Sequence, residues 1–453
     1  MKPTFLLKNK NSHSRVLKNS VASAFILTTI SYSLSAYSEN LLDIYQMAYE
    51  SDPILKQVIA QKASIGENSV QAFARFLPQV NASLNTIGHN QNKPSSSSSD
   101  ESYNTHGYTL NLNQSLFDNK NYVNYKISHL QTNIAEANLS AAQQELIIRT
   151  ADAYFITLAA VDKVGFAKAE QKAIKRQLDQ ASRRYEVGII AITDVHEAQA
   201  GYDNANASVI SAENELLIAK ETLRELTGQY IEQVSPLAED IPLAPPKPEN
   251  IQHWVDQALS GNYNLLSVKS NTEVKHEGIK LQRSGHYPTL GLSASYGYAK
   301  SNGPIAFSAR QSHDSSIGLN LSIPIYEGNA VVSRTRQAQY DFQQSQESYQ
   351  QVYNETEKNA RSSYLNVISE ISRVKALKQA VISNESALSA TEAGFEVGTR
   401  TIVDVLNVQR DLYRAKQEYS NSRYIYIVNV LRLKQASGEL ERSDIEMVNS
   451  WLQ

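Results

Sequence analysis

The sequence predicts a mixed fold, mainly α-helical, in which one unit is used twice: two membrane β-strands joined to a long coiled-coil helical hairpin. Three observations predict it. The chain matches itself at a constant offset of 210 residues. Pro is absent from 95–235 and from 325–453, where apolar residues recur at steps of three and four. Four shorter stretches instead alternate with a period of two.

The chain opens on an export signal. Lys2, Lys8, Lys10, Arg15 and Lys18 form a basic head, residues 21–30 an apolar stretch, and Ala36 and Ser38 a small-residue cleavage site before Glu39. The apolar stretch is about half of the roughly 20 residues that a membrane helix needs. After residue 38 no run approaches that length. A mature chain that enters a membrane must therefore do so as a closed β-barrel, because an open edge leaves backbone groups unpaired in lipid.

Composition narrows the partners. Of 453 residues 41% are hydrophobic, enough for a sizeable core and too many for wholesale disorder. Without residues 1–38, 38 Lys and Arg face 46 Asp and Glu, a net charge of −8. Nucleic acid is therefore not an expected partner. With no Cys, disulfides, thiolate metal sites and a lipid-bearing N-terminal Cys are excluded.

The repeat divides the rest of the chain. Pro78 matches Pro288, Tyr154 matches Tyr364, Gly188 matches Gly398 and Gly228 matches Gly438. The seam is Pro-rich, with Pro236, Pro242, Pro245, Pro246 and Pro248, and can be neither helix nor central strand. The expected units are residues 39–235, a linker over 236–250, and residues 251–453. Each runs helix, two strands, then two long helices.

Within the first unit, residues 119–185 would span about 100 Å as one helix, a coiled-coil length. Ile127, Leu130, Ile134, Ala137 and Ala141 keep a heptad beat that only Gln144 breaks before Ile148. In the returning helix, over 194–227, Val195, Ala198, Tyr202, Ala205, Val209 and Ala212 continue the beat to Leu226. The second unit repeats it from Val405 to Ala436, with Ser422 and Asn429 as interruptions. These stripes are helix packing. A shorter helix over 53–76 has the length to stack end to end with that of 194–227 beside the long helix.

The strands centre on Val80-Ala82-Leu84, Tyr108-Leu110-Leu112, Leu290-Leu292-Ala294-Tyr296-Tyr298 and Ile317-Leu319-Leu321-Ile323, each alternating with polar or small residues. Apolar-out, polar-in alternation over roughly 9–11 residues is the pattern of a wet-lumen membrane barrel. A small soluble sheet with one buried face is the bland alternative. Residues 94–100 and 300–315, polar and long, are expected as extracellular loops. Four strands cannot close a barrel, since membrane barrels start at about eight. Several chains must share one, and arithmetic allows a dimer or a trimer.

This layout, with Glu39-Asn40-Leu41, Gln177-Leu178-Asp179-Gln180, Ala191-Ile192-Thr193-Asp194-Val195 and Glu392-Ala393-Gly394-Phe395 through Leu406, resembles the TolC family of outer-membrane factors over nearly the whole mature chain. The resemblance implies a homotrimer in the outer membrane, a 12-stranded β-barrel on a 12-helix α-barrel that forms a tunnel in the periplasm. It implies an exit duct for efflux pumps and type I protein secretion. A periplasmic membrane-fusion adaptor would dock at the tips around Val187, Gly188, Val397 and Gly398, linking the duct to an inner-membrane efflux pump or an ABC secretion transporter.

The resemblance also implies a gate at those tips. Thr193 and Asp194 would accept from Arg400, and Asp404 would line the constriction as a ring of carboxylates. Phe395 stands where the family usually has Tyr, which removes a hydroxyl tie to Asp194, and Asn407 replaces a second ring Asp. A looser gate and weaker block by multivalent cations are expected. Thr193 and Asp194 also suit an ordinary helix start, with a hydroxyl cap and a carboxylate at the positive end.

No enzyme or cofactor motif appears. The nine His are scattered with no i, i+4 pair, and phosphate loops and a Gly-x-Ser-x-Gly elbow are absent. The alternative function is a periplasmic coiled-coil adaptor or binding module without a pore. Such a protein gives no reason to duplicate strand pairs with lipid-like alternation.

Overall fold

Capping fixes where the helices begin. The computed structural model describes residues 38–91, 101–302 and 311–453. The expected export signal lies outside them except for Ser38. Asn40 caps α1 (Leu41–Ser51) by accepting from the Asp43 N–H at 3.0 Å. Asp52 then caps α2 (Pro53–Ala74), with Pro53 at its first position. Burial pushes the Asp52 carboxyl up. The bidentate Arg149 guanidinium and the Leu55 N–H outweigh this and hold it below its usual range.

The first copy continues through β1 (Gln79–Gln91), β2 (Glu101–Phe117), α3 (Asn119–Glu186, 68 residues) and α4 (Ile192–Thr227, 36 residues). The second copy repeats the order as α5 (Ile251–Gly261), α6 (Tyr263–Arg283), β3 (Thr289–Ser301), β4 (Gln311–Ser322), α7 (Ala330–Glu396, 67 residues) and α8 (Ile402–Ser437, 36 residues). It ends in α9 (Arg442–Asn449) where the first copy enters the Pro-rich seam. The sequence ran α2 two residues too far. Arg75, Phe76 and Leu77 instead form a tight turn, Phe76 N–H donating to Phe73 O, because Pro78 disfavours helix before it.

α3 is flanked on one side by α2 and then α4, and on the other by α6 and then α8; α7 lies beyond, against α6 and α8. The end-to-end stacking expected from lengths is present. Ser51, the last residue of α1 and two positions ahead of α2, donates its Oγ to Leu226 O at 3.0 Å near the end of α4. Asn262 Nδ2 donates to Ala436 O at 3.2 Å where α6 meets α8. At that second joint Gly438 (φ 80°) passes so near Gly261 that a Cβ would meet its carbonyl oxygen at 2.2 Å. The position needs glycine for space and for conformation.

The heptad stripe of α4 is buried at Ala198, Ala205, Val209, Ala212, Ala219 and Leu223. Two of the polar interruptions in the other stripes have partners. Gln144 donates to Gly438 O and Leu440 O, each at 3.0 Å, tying α3 to the end of α8. Ser422, fully buried, donates to Tyr419 O. The main core gathers α1, α9 and the middle of α3 and α8, where Tyr154 is completely buried and donates to Ser235 O at 2.7 Å. Burial drives its phenol pKa up. Lower on α3, Asp162 accepts from Ser420 and from Tyr424 at 2.7 Å, joining the two copies.

The strands form one antiparallel sheet in chain order, β1-β2-β3-β4, so the copies meet at β2 and β3. Register places Val80, Leu112, Ala294 and Ile317 in one row and Asn81, Asn111, Ser295 and Ser316 in the next. Through these rows one face is apolar and the other polar, whereas nearer the loops Thr86, His106, Lys300 and Gln311 make a polar row on the apolar face. The strands run 12 to 17 residues. They take in Lys300, Ser301 and residues 311–315, which the sequence assigned to a loop. Lys300 pairs with Gln311 and His106 through the backbone, which side-chain polarity does not prevent. Residues 92–100 and 303–310 of the expected loops lie outside the described residues. No helix among the described residues is long and apolar enough to cross a membrane.

Candidate gate at the hairpin tips

Each hairpin turns on a left-handed glycine. Gly188 has φ 78° and its N–H donates to Tyr185 O at 2.8 Å; Gly398 has φ 81° and its N–H donates to Phe395 O at 3.2 Å. A Cβ at either would meet nothing within 4 Å, so conformation rather than space demands glycine. Beside them Val187 and Val397 stand 69% and 75% exposed, an apolar knob on each tip.

The outgoing helices start differently. Thr401 caps α8 in a capping box: Asp404 N–H donates to Thr401 Oγ1 at 3.2 Å, and Thr401 N–H donates to Asp404 Oδ2 at 2.9 Å. The Thr401 hydroxyl donates to the same oxygen at 3.0 Å. These bonds, with the Arg400 charge adding, hold the Asp404 carboxyl below its usual range. The cap of α4 is Ala191, with no side-chain bond. A hydroxyl cap from Thr193 is thus corrected. α4 begins two residues before Asp194, which places Thr193 inside its first turn, and a cap must precede the helix.

Asp194 is in that first turn, where the helix dipole favours its charge. Among the described residues, Thr193, Asp194 and the Arg400 guanidinium make no side-chain hydrogen bond or ion pair within the chain. Arg400 is placed by its own turn. Its N–H donates to Gly394 O at 3.2 Å, and its stem lies where a Cβ on Gly394 would meet Cγ at 2.8 Å. Asn407 is exposed and accepts from Arg410 Nη2 at 3.1 Å.

The two tips are joined by a small apolar cluster that sequence reasoning missed. Ala181 of α3, Ala198 of α4 and Ile402 of α8 are buried together, with Leu178, Ile190, Val195, Leu406 and Phe395 packed around them. All four long helices contribute. Over the Phe395 ring lies Arg184, its Cζ 4.8 Å from the centroid. A basic residue on a heptad helix gives no local signal of such a contact, which forms between copies. No group of three His, Asp or Glu among the described residues could hold a metal ion.

A sequence model for the family described as outer membrane efflux protein matches residues 44–229 and 254–439. Those stretches are themselves 210 residues apart and cover most of both copies. The chain belongs to the outer membrane efflux protein family. It is similar to outer membrane protein TolC of Vibrio cholerae, 38% identical over 93% of this chain and 95% of that one. It is likewise similar to TolC of Escherichia coli, at 36% over 93% and 88%. Alkaline protease secretion protein AprF of Pseudomonas aeruginosa is 29% identical over 91% and 87%. In fold it is similar to the VceC outer membrane protein of Vibrio cholerae, at a TM-score of 0.74 and 19% identity over 88% and 96%. The Campylobacter jejuni CmeC outer membrane channel matches at a TM-score of 0.75 and 16% identity over 92% and 91%. This efflux-family chain is therefore an outer-membrane channel with a helical tunnel on the periplasmic side, and a pore-free adaptor has no support among its relatives.

Proposed function

We propose that three copies close a single 12-stranded barrel and continue it as a 12-helix tunnel, which serves as exit duct for both efflux and type I secretion. The observation that carries this is the sheet. Its alternation gives one lipid-compatible face, yet β1 and β4 are edges that need partners. Leu84 on β1 and Ile317 on β4 are 85% and 78% exposed in the lone chain. The similarity to TolC and to the protease secretion protein supports the twofold use. The purified mature chain is expected to need detergent, to run as a trimer after crosslinking, and to conduct in planar bilayers. A detergent-free monomer would end the proposal.

Under this proposal the tips are the closed end. Arg400, unpaired within its own chain, supplies a guanidinium to the carboxylate and hydroxyl of Asp194 and Thr193. Asp404, with its second carboxylate oxygen outside the cap, faces the lumen as one of three that attract cations. A periplasmic adaptor docks on the Val187–Gly188 and Val397–Gly398 knobs and releases the ties, connecting an inner-membrane pump or ABC transporter to the duct. Phe395 and Asn407 supply neither a hydroxyl nor a second carboxylate, so block by multivalent cations is weak. Arg400→Ser is expected to raise single-channel conductance; unchanged conductance would remove Arg400 from the gate.

A further inference from the structure

The last turn of α3 carries two arginines, and they are not equivalent. Arg183 is exposed, while Arg184 is half-buried with its guanidinium over the Phe395 ring. Neither has a side-chain hydrogen bond or ion pair among the described residues. Phe395 belongs to α7 and rests on the cluster of Ala181, Ala198 and Ile402, so the stack spans from the first hairpin to the second. The 210-residue repeat places Gly394 where the first copy has Arg184. The second hairpin thus lacks a reciprocal cation and offers only the ring.

We infer that Arg184 is a positioning residue of the channel's closed end, holding the second hairpin against the first through the ring face of Phe395, a role that rests on the gate proposed above. Two alternatives are weaker. A cation merely complementing the α3 carbonyl end would serve from Arg183, one residue away and exposed. A solvated arginine would not be half-buried against an apolar cluster. The two arginines at Phe395 also divide the work. Arg400 lies over Gly394 with its guanidinium available to a carboxylate, whereas Arg184 is engaged by the π-face, which needs no hydroxyl and no acid. The lost hydroxyl therefore does not leave the aromatic position untied.

Single-channel conductance of the full mature chain in planar bilayers tests this, with every variant first checked as a detergent-solubilised oligomer. Arg184→Gln and Phe395→Leu should each raise the open population, since losing one cation–π contact shifts a two-state equilibrium by about two- to thirtyfold. The double variant should match the singles, because both remove one contact. Phe395→Tyr, which keeps the ring face and returns a hydroxyl toward Asp194, should conduct no more than the parent, and Arg183→Gln, which removes a nearby charge without touching the ring, should conduct like the parent. Equal rises in Arg183→Gln and Arg184→Gln would reduce the effect to general charge and overturn the inference. So would an additive double variant. If Arg400→Ser raises conductance and Arg184→Gln does not, the stack is not a tie while the gate stands. If neither does, the gate itself is elsewhere.

Discussion

The two hairpin turns share a backbone and differ in how it is finished. Both close on a left-handed glycine, and in both the N–H following it returns to a carbonyl one turn back, Ile189 to Arg184 and Thr399 to Gly394. Beyond that point the second turn locks Thr401 and Asp404 to each other, while the first starts its helix on Ala191 and leaves the Asp194 carboxylate without a bond among the described residues. Duplication has kept what backbone geometry demands and let go what side chains decide. A carboxylate engaged by its own helix end has less to offer a partner. Asp194, at a helix N-terminus and uncommitted, has most.

The largest effects should test the shared part. Gly188→Val and Gly398→Val each force a β-branched residue to positive φ at about 1–2 kcal/mol, so amide exchange around either turn should rise by about 5- to 30-fold. Unequal rises would show that the turns are not one backbone. Next comes the part that differs. Thr401→Ala should cost the second tip about 1 kcal/mol, and Ala191→Ser should stabilise the first by a similar amount, both read by exchange of the following helical turn. If Thr401→Ala leaves exchange unchanged, the capping box does not hold in solution.

Acidification should separate the tips more gently. The Asp404 pKa is depressed in the folded state, so its contribution is complete above the unfolded carboxylate value, near about 4. It is lost as pH falls through the lower folded value. Exchange at the start of α8 should therefore quicken in strong acid and that at the start of α4 should not gain this component; Asp404→Asn should abolish the difference. The smallest effect belongs to Asp194→Asn, worth about 0.3–1 kcal/mol in helix-dipole energy. A conductance rise beyond what that exchange change accounts for would mark Asp194 as a tie rather than a helix ornament.

What could be seen in the sequence is what repeats. Gly188 and Gly398, the stripe from Val195 to Leu226 and the alternation of Leu110 or Leu319 all express a geometric period, and a period survives without knowledge of neighbours. Residues 311–315 were missed because ladder pairing belongs to the backbone and ignores their polarity. Thr193 was misjudged as a cap because a helix start is decided by where the chain leaves its turn, here at Ala191. Thr401 and Asp404 carry the spacing of a capping box and could have been recognised from it. Arg184 could not, because its partner lies on the other copy and only the folded tip brings them together.

Joining the two hairpins in one polypeptide has an evolutionary consequence. A ring of six identical hairpins, each a copy of one single-hairpin polypeptide, would acquire any tip mutation six times at once. Here a single codon change alters only one of the two kinds of turn, leaving the other as an unmodified scaffold. Drift at Ala191 can proceed while Thr401 stays fixed, so lineages can explore new closure chemistry without dismantling the old.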